Sequence, residues 1–126
     1  MLSFAGCEAT GDAGGTKRFA FDHVPFSFEL PSDFTEETVD DANSRGDVVA
    51  AAGLTKVDVV AVRRARIARG MVDQVTRHEV LGHPVTSELR PVEGFPGYAL
   101  ECQYTDERAD DVRSACRTAL ESVEPE

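Results

Sequence analysis

The chain has 126 residues, 41% of them hydrophobic, which suits one globular domain with a disordered start, and it contains no transmembrane run. A formal net charge of −10 and a pI near 4.7 argue against a nucleic-acid partner, because phosphate binding needs a basic footprint. The acidity serves solubility.

Taken in order, the chain starts with Met1-Leu2-Ser3-Phe4-Ala5-Gly6-Cys7, followed by a Gly, Ala, Asp and Thr-rich run to Thr16. Small residues before a cysteine, then a flexible polar stretch, suggest a processing site and a tether over residues 1–16. The segment resembles the end of a bacterial lipoprotein signal, with Ala5-Gly6-Cys7 as the lipobox and Cys7 as the lipidated residue. Phe4 stands where Leu is usual, and no charged and apolar regions precede it, so export requires a start further upstream. The alternative is an incidental cysteine in a cytosolic N-terminus with Met1 as the true start.

Residues 17–124 read as a single α+β domain. Phe19 with Phe21, and Phe26 with Phe28 and Leu30, alternate like two short strands turning at Val24-Pro25. So dense an aromatic cluster is expected to form one wall of a core. Ser32 to Arg45 suits a short helix or an ordered loop, with Ser32 and Thr35 as caps. Its carboxylates lack the spacing of a calcium loop and read as a solvated face.

Asp47–Ala52 and Lys56–Ala65 are Val/Ala-rich runs separated by Gly53-Leu54-Thr55, as in a hairpin at the centre of a sheet. Arg63, Arg64, Arg66 and Arg69 concentrate positive charge in an acidic protein. Guanidinium forks suit an anionic headgroup or an acidic partner, and internal pairing with the acidic segment is the plainer reading. Ala68 to Leu81 places Met71, Val72, Val75 and His78 at helical spacing, so a helix ending at Gly82 is expected. His78-Glu79 followed by His83 evokes a zinc-protease helix, but histidines at i and i+5 diverge by about 140°, so no metal site is expected.

Val85–Val92 and Gly97–Thr105 read as an antiparallel pair reversed by Glu93-Gly94-Phe95-Pro96-Gly97. In the second, Tyr98, Leu100, Cys102 and Tyr104 share one face. Thr105 or Asp106 then caps a C-terminal amphipathic helix with Val112, Cys116, Ala119, Leu120 and Val123 at helical spacing. Cys102 on the strand and Cys116 on the helix fall in one layer, so a disulfide is sterically plausible and worth about 3 kcal/mol; two buried thiols are the alternative. One cysteine for lipid and two for a bridge account for all three.

The Phe26–Pro31 stretch Phe-Ser-Phe-Glu-Leu-Pro and the run Gly94-Phe95-Pro96-Gly97-Tyr98, with the strand and helix after it, resemble small actinobacterial envelope lipoproteins of the LpqN/PsbP-like group. The resemblance spans Phe19 to Val123. It implies a curved antiparallel sheet with helices packed on it, an extracytoplasmic location on the outer face of the cell membrane, and a binding or accessory role without catalysis or cofactor. Expected partners are the membrane, through the lipid anchor, and an envelope protein or small ligand. A cytosolic protein-interaction domain is the alternative, and a small enzyme ranks last, since no catalytic motif is present.

Overall fold

Alternating aromatics drive the first pairing: β1 (Thr16–Ala20) and β2 (Phe26–Pro31) run antiparallel with Phe19 opposite Phe28 and Arg18 opposite Glu29. His23, with φ at 67°, carries the left-handed step of the turn between them. The computed structural model describes residues 15–38, 48–64 and 74–126. A two-residue strand near the C-terminus, Glu124–Pro125, pairs with the other side of β2 and completes a three-stranded sheet.

Among the described residues the second sheet has six strands. They are β3 (Thr35–Glu37), β4 (Val48–Gly53), β5 (Val59–Arg64), β6 (Gln74–Val80), β7 (His83–Pro91) and β8 (Tyr98–Tyr104), in the spatial order β3-β4-β5-β8-β7-β6 and antiparallel throughout. β5 and β8 lie at its centre, where their Val, Ala and Leu side chains are covered. After β8 comes a 3-10 turn, Asp106–Arg108, and then helix α1 (Ala109–Glu121).

The helix and the small sheet both cover one face of the large sheet. Cross-strand partners place Val60 beside Cys102 and Val62 beside Leu100 on that face, and they join Phe26, Phe28, Leu30, Val112, Ala115 and Ala119 in one buried core. Phe26 stands edge-on to Tyr98, with ring centroids 5.5 Å apart, and lies 4.8 Å from Phe95. The aromatic cluster is therefore core, as its spacing suggests. Burying side chains of this size is the main stabilising term for a domain so small.

Two polar fasteners hold the layers in register. The Asp58 carboxylate, buried in the β4–β5 connection's far end, accepts the Thr105 backbone N–H at 2.7 Å, the Thr105 hydroxyl at 3.0 Å and the Thr55 hydroxyl at 2.7 Å. Thr105 thus precedes the helical segment without capping it by its side chain, and its hydroxyl is committed to Asp58 instead. At the far end of α1, the Ser122 hydroxyl accepts the Glu29 N–H at 2.7 Å, and Arg18 donates to the Ser122 carbonyl at 3.2 Å.

Cys102 and Cys116 stand at disulfide distance with Cα atoms 6.3 Å apart, the first 1% and the second 2% exposed. Strand alternation and helix periodicity converge here as expected.

Several expectations are corrected. The single curved sheet is two antiparallel sheets, because the Phe-rich hairpin folds over the face of the large sheet and does not extend its edge; α1 is the one α-helix among the described residues. The helix expected over Ala68 to Leu81 is instead strand β6 across Gln74–Val80, with residues 68–73 outside the described part. Leu81 and Gly82, with φ of 52° and 80°, form a two-residue turn that sets Val80 opposite His83. Both turn residues are left-handed, the conformation of a type I′ hairpin, whose usual sequence signal is Asn-Gly. From the segment Ser32 to Arg45, Thr35–Glu37 is strand and residues 39–47 lie outside the described part.

Candidate functional site: an arginine-lined cleft over a buried glutamate

Alternation along β7 puts Thr86, Glu88 and Arg90 on the covered face, opposite Tyr104, Cys102 and Leu100 of β8. Glu88 is only 4% exposed. A carboxylate so enclosed requires charged or hydrogen-bonding partners, and three converge on it. Arg90 donates to Oε1, the Tyr104 hydroxyl donates to Oε2, and the Arg113 Nε, reaching down from α1, lies 3.1 Å from the same Oε2.

The electrostatics follow from this arrangement. Burial pushes the Glu88 carboxyl upward, but the Tyr104 hydrogen bond, the Arg90 hydrogen bond and the charges of Arg90 and Arg113 outweigh it and leave the group below the ordinary carboxylate value. Burial and the neighbouring Glu88 carboxylate act in the same direction on the Tyr104 phenol, which is pushed up to about 12. Glu88 is thus held as an anion and Tyr104 as a neutral donor.

On α1 the buried stripe is Val112, Ala115, Cys116 and Ala119. Arg113, Arg117 and Leu120 run beside it, and with Arg90 of β7 they line a cleft of about 170 Å³. That is room for about five or six waters. Arg113 and Arg117 are one turn apart on the helix, where like charges repel. Glu88 offsets Arg113, whose Nε lies 3.1 Å from Oε2, and Arg117 has no ion-pair partner among the described residues. The cleft therefore presents guanidinium donors at its rim, beside one apolar wall, with the compensating carboxylate sunk beneath.

Two wider depressions lack such convergence. One, of about 690 Å³, lies beside Phe21, Asp22, His23, Glu36 and Val49; the other, of about 410 Å³, lies beside Lys56, Asp58, Leu81, His83 and Glu107. The first is lined by the carboxylates Asp22, Glu36 and Glu37 with no Lys or Arg, and the second mixes charges of opposite sign.

The arginines singled out from the sequence are not brought together. Arg63 and Arg64 are successive residues of β5 and point to opposite faces. Arg63 pairs internally with Glu101 of the neighbouring strand at 3.1 Å and not with the acidic segment Ser32 to Arg45, while Arg64 is exposed opposite Tyr98. Arg66 and Arg69 lie outside the described residues, as does Cys7. His78 and His83 occupy the two strands of the β6–β7 hairpin, and among the described residues no group of three His, Cys, Asp or Glu is placed to hold a metal. No described helix is long and apolar enough to cross a membrane.

Glu88, Arg90, Tyr104, Arg113 and Arg117 were not legible as a group. The available signals were the i, i+4 spacing of Arg113 and Arg117 and the polar alternation Thr86, Glu88, Arg90, each ordinary for a solvated face. Only the strand pairing and the helix docking unite them. No protein-family model matches the chain, and no curated protein matches it.

Proposed function

We propose that this chain is a non-enzymatic, extracytoplasmic binding or accessory module of the bacterial envelope, anchored to the outer face of the cell membrane through lipid on Cys7. The observation that carries the reading is the buried pairing of Cys102 with Cys116 between β8 and α1. Structural disulfides persist in oxidising compartments and are rare in reducing ones, and small secreted domains use them to supplement a limited core. The sequence Ala5-Gly6-Cys7 supplies the anchor that such a location calls for.

The kinship we infer is with the LpqN/PsbP-like lipoproteins, on the Phe26–Pro31 and Gly94–Tyr98 motifs together with antiparallel strands and a C-terminal amphipathic helix. Partners in this reading are the membrane and an envelope protein or small ligand, with no nucleic acid and no cofactor.

The test is intact mass of the protein from its native host, before and after reduction. A chain starting at Cys7 with added diacylglycerol, gaining two protons on reduction, is the expected result. An unlipidated chain starting at Met1 with three free thiols would replace this reading with a cytosolic interaction domain.

A further inference from the structure

We infer that the cleft between β7 and α1 is a binding site for a phosphate group, held by Arg113 and Arg117 with Leu120 against the carbon next to it. The inference deepens the reading of the domain as a binding module, and it rests on that reading only in taking the cleft to be functional; its test does not depend on where the protein resides.

Four observations carry it. First, Arg113 and Arg117 lie one turn apart on the helix and line the same cleft as Arg90, like charges that repel and that Glu88 offsets at Arg90 and Arg113 but not at Arg117. Second, Glu88 neutralises the base of the cleft and not its rim. Its Oε2 lies 3.1 Å from the Arg113 Nε and accepts the Tyr104 hydroxyl, while the Arg113 side chain stays 55% exposed and Arg117 lies beyond Glu88's ion pairs. Third, Arg117 has no ion-pair partner among the described residues, although the whole chain carries 23 acidic side chains against 13 basic ones. In so acidic a protein, a cationic side chain left unpaired among the described residues, beside two paired ones, is the exception that needs explaining. Fourth, the volume of about 170 Å³ admits a tetrahedral oxyanion with a short organic substituent.

The donor geometry favours phosphate over carboxylate. A carboxylate offers one planar edge, which a single guanidinium satisfies, and Glu88 already plays that part beneath. A phosphate monoester carries a charge of about −1.5 to −2 at pH 7 and three acceptor oxygens, so it accepts from Arg113 and Arg117 from different directions. Leu120 offers apolar contact to whatever the ester carries. The phosphate belongs either to a free small ester or to a lipid headgroup, and the experiment separates these.

The test titrates the purified chain with glycerol 3-phosphate and with inorganic phosphate at constant ionic strength, following Arg Nε–Hε and backbone amide NMR signals. A parallel series measures co-sedimentation with phosphatidylcholine vesicles containing phosphatidic acid. Arg117→Gln is the test variant, since Arg117 is exposed and makes no hydrogen bond or ion pair among the described residues; Arg108→Gln, an exposed arginine paired with Asp111 outside the cleft, is the charge-matched control. The expected result is saturable shifts centred on Arg113, Arg117 and Leu120, weakened about tenfold or more by Arg117→Gln and unchanged by Arg108→Gln. Vesicle binding that is lost in Arg117→Gln assigns the phosphate to a lipid headgroup, and saturation by the soluble ester without vesicle binding assigns it to a free ester. Shifts that do not saturate, or that fall equally in both variants, overturn the site. A tethered, lipidated protein whose cleft ignores phosphate would leave the envelope reading standing and remove this one alone.

Discussion

Reduction of the Cys102–Cys116 pair should lower the stability of the domain by an amount calculable from its position. The two residues are 14 apart in sequence, so the bridge closes a short loop running along the end of β8, through the 3-10 turn and halfway down α1. On the chain-entropy model such a loop is worth about 3 kcal/mol through restriction of the unfolded ensemble. Neither sulfur contacts solvent appreciably, so reduction leaves two small apolar groups in an unchanged cavity and adds little packing loss. For a domain of this size each kcal/mol moves the melting temperature by about 4–6 °C, which predicts a fall of about 12–18 °C. Differential scanning calorimetry of oxidised protein, protein reduced in denaturant and refolded, and the Cys102→Ala/Cys116→Ala double variant measures it. Reduced and oxidised melts coinciding within about 2 °C would refute both the bridge and the argument for an oxidising compartment built on it.

The remaining predictions concern the buried glutamate and the β6–β7 turn. Because the folded Glu88 carboxyl lies below its ordinary value, its contribution to stability is complete above the unfolded value of 4.5 and is lost as pH falls through the lower folded one. Urea unfolding followed from pH 7 down to about pH 3 should therefore show an acid-side loss that Glu88→Gln flattens, together with a lower stability at neutral pH because Arg90 and Arg113 lose their shared carboxylate. The two tyrosines should separate in an alkaline absorbance titration, Tyr104 ionising near about 12, and Tyr104→Phe should remove that late step. Leu81 is 72% exposed and sits at positive φ, so Leu81→Asn should stabilise the protein by about 0.5–1 kcal/mol in thermal or urea unfolding, and an unchanged or lower midpoint would refute the turn assignment.

Patterns of period 2 and 3.6 decided much of this protein before any tertiary contact. The alternation Phe26, Phe28, Leu30, the strand Tyr98 to Tyr104, the amphipathic stripe of α1 and the approach of Cys102 to Cys116 all follow from where apolar side chains recur, because burial of one face is a local property of the chain. The segment ending at Leu81 misled for the same reason. Its Val72, Val75 and His78 satisfy a helical spacing, but the short polar run from Gln74 to Val80 is decided by partners on β7 and by a left-handed Leu81-Gly82 turn, neither of which periodicity encodes. Arg63 and Arg64 look like a cluster when counted along the chain and separate once the strand turns them to opposite faces. The arginine cleft is the converse case: Glu88, Arg90, Tyr104, Arg113 and Arg117 span two strands and a helix, and each alone is an unremarkable polar residue. Local chemistry determined which faces would be buried; only strand order, register and the docking of α1 determined which charges those faces would bring together, because electrostatic neighbours depend on distance in space and not along the sequence.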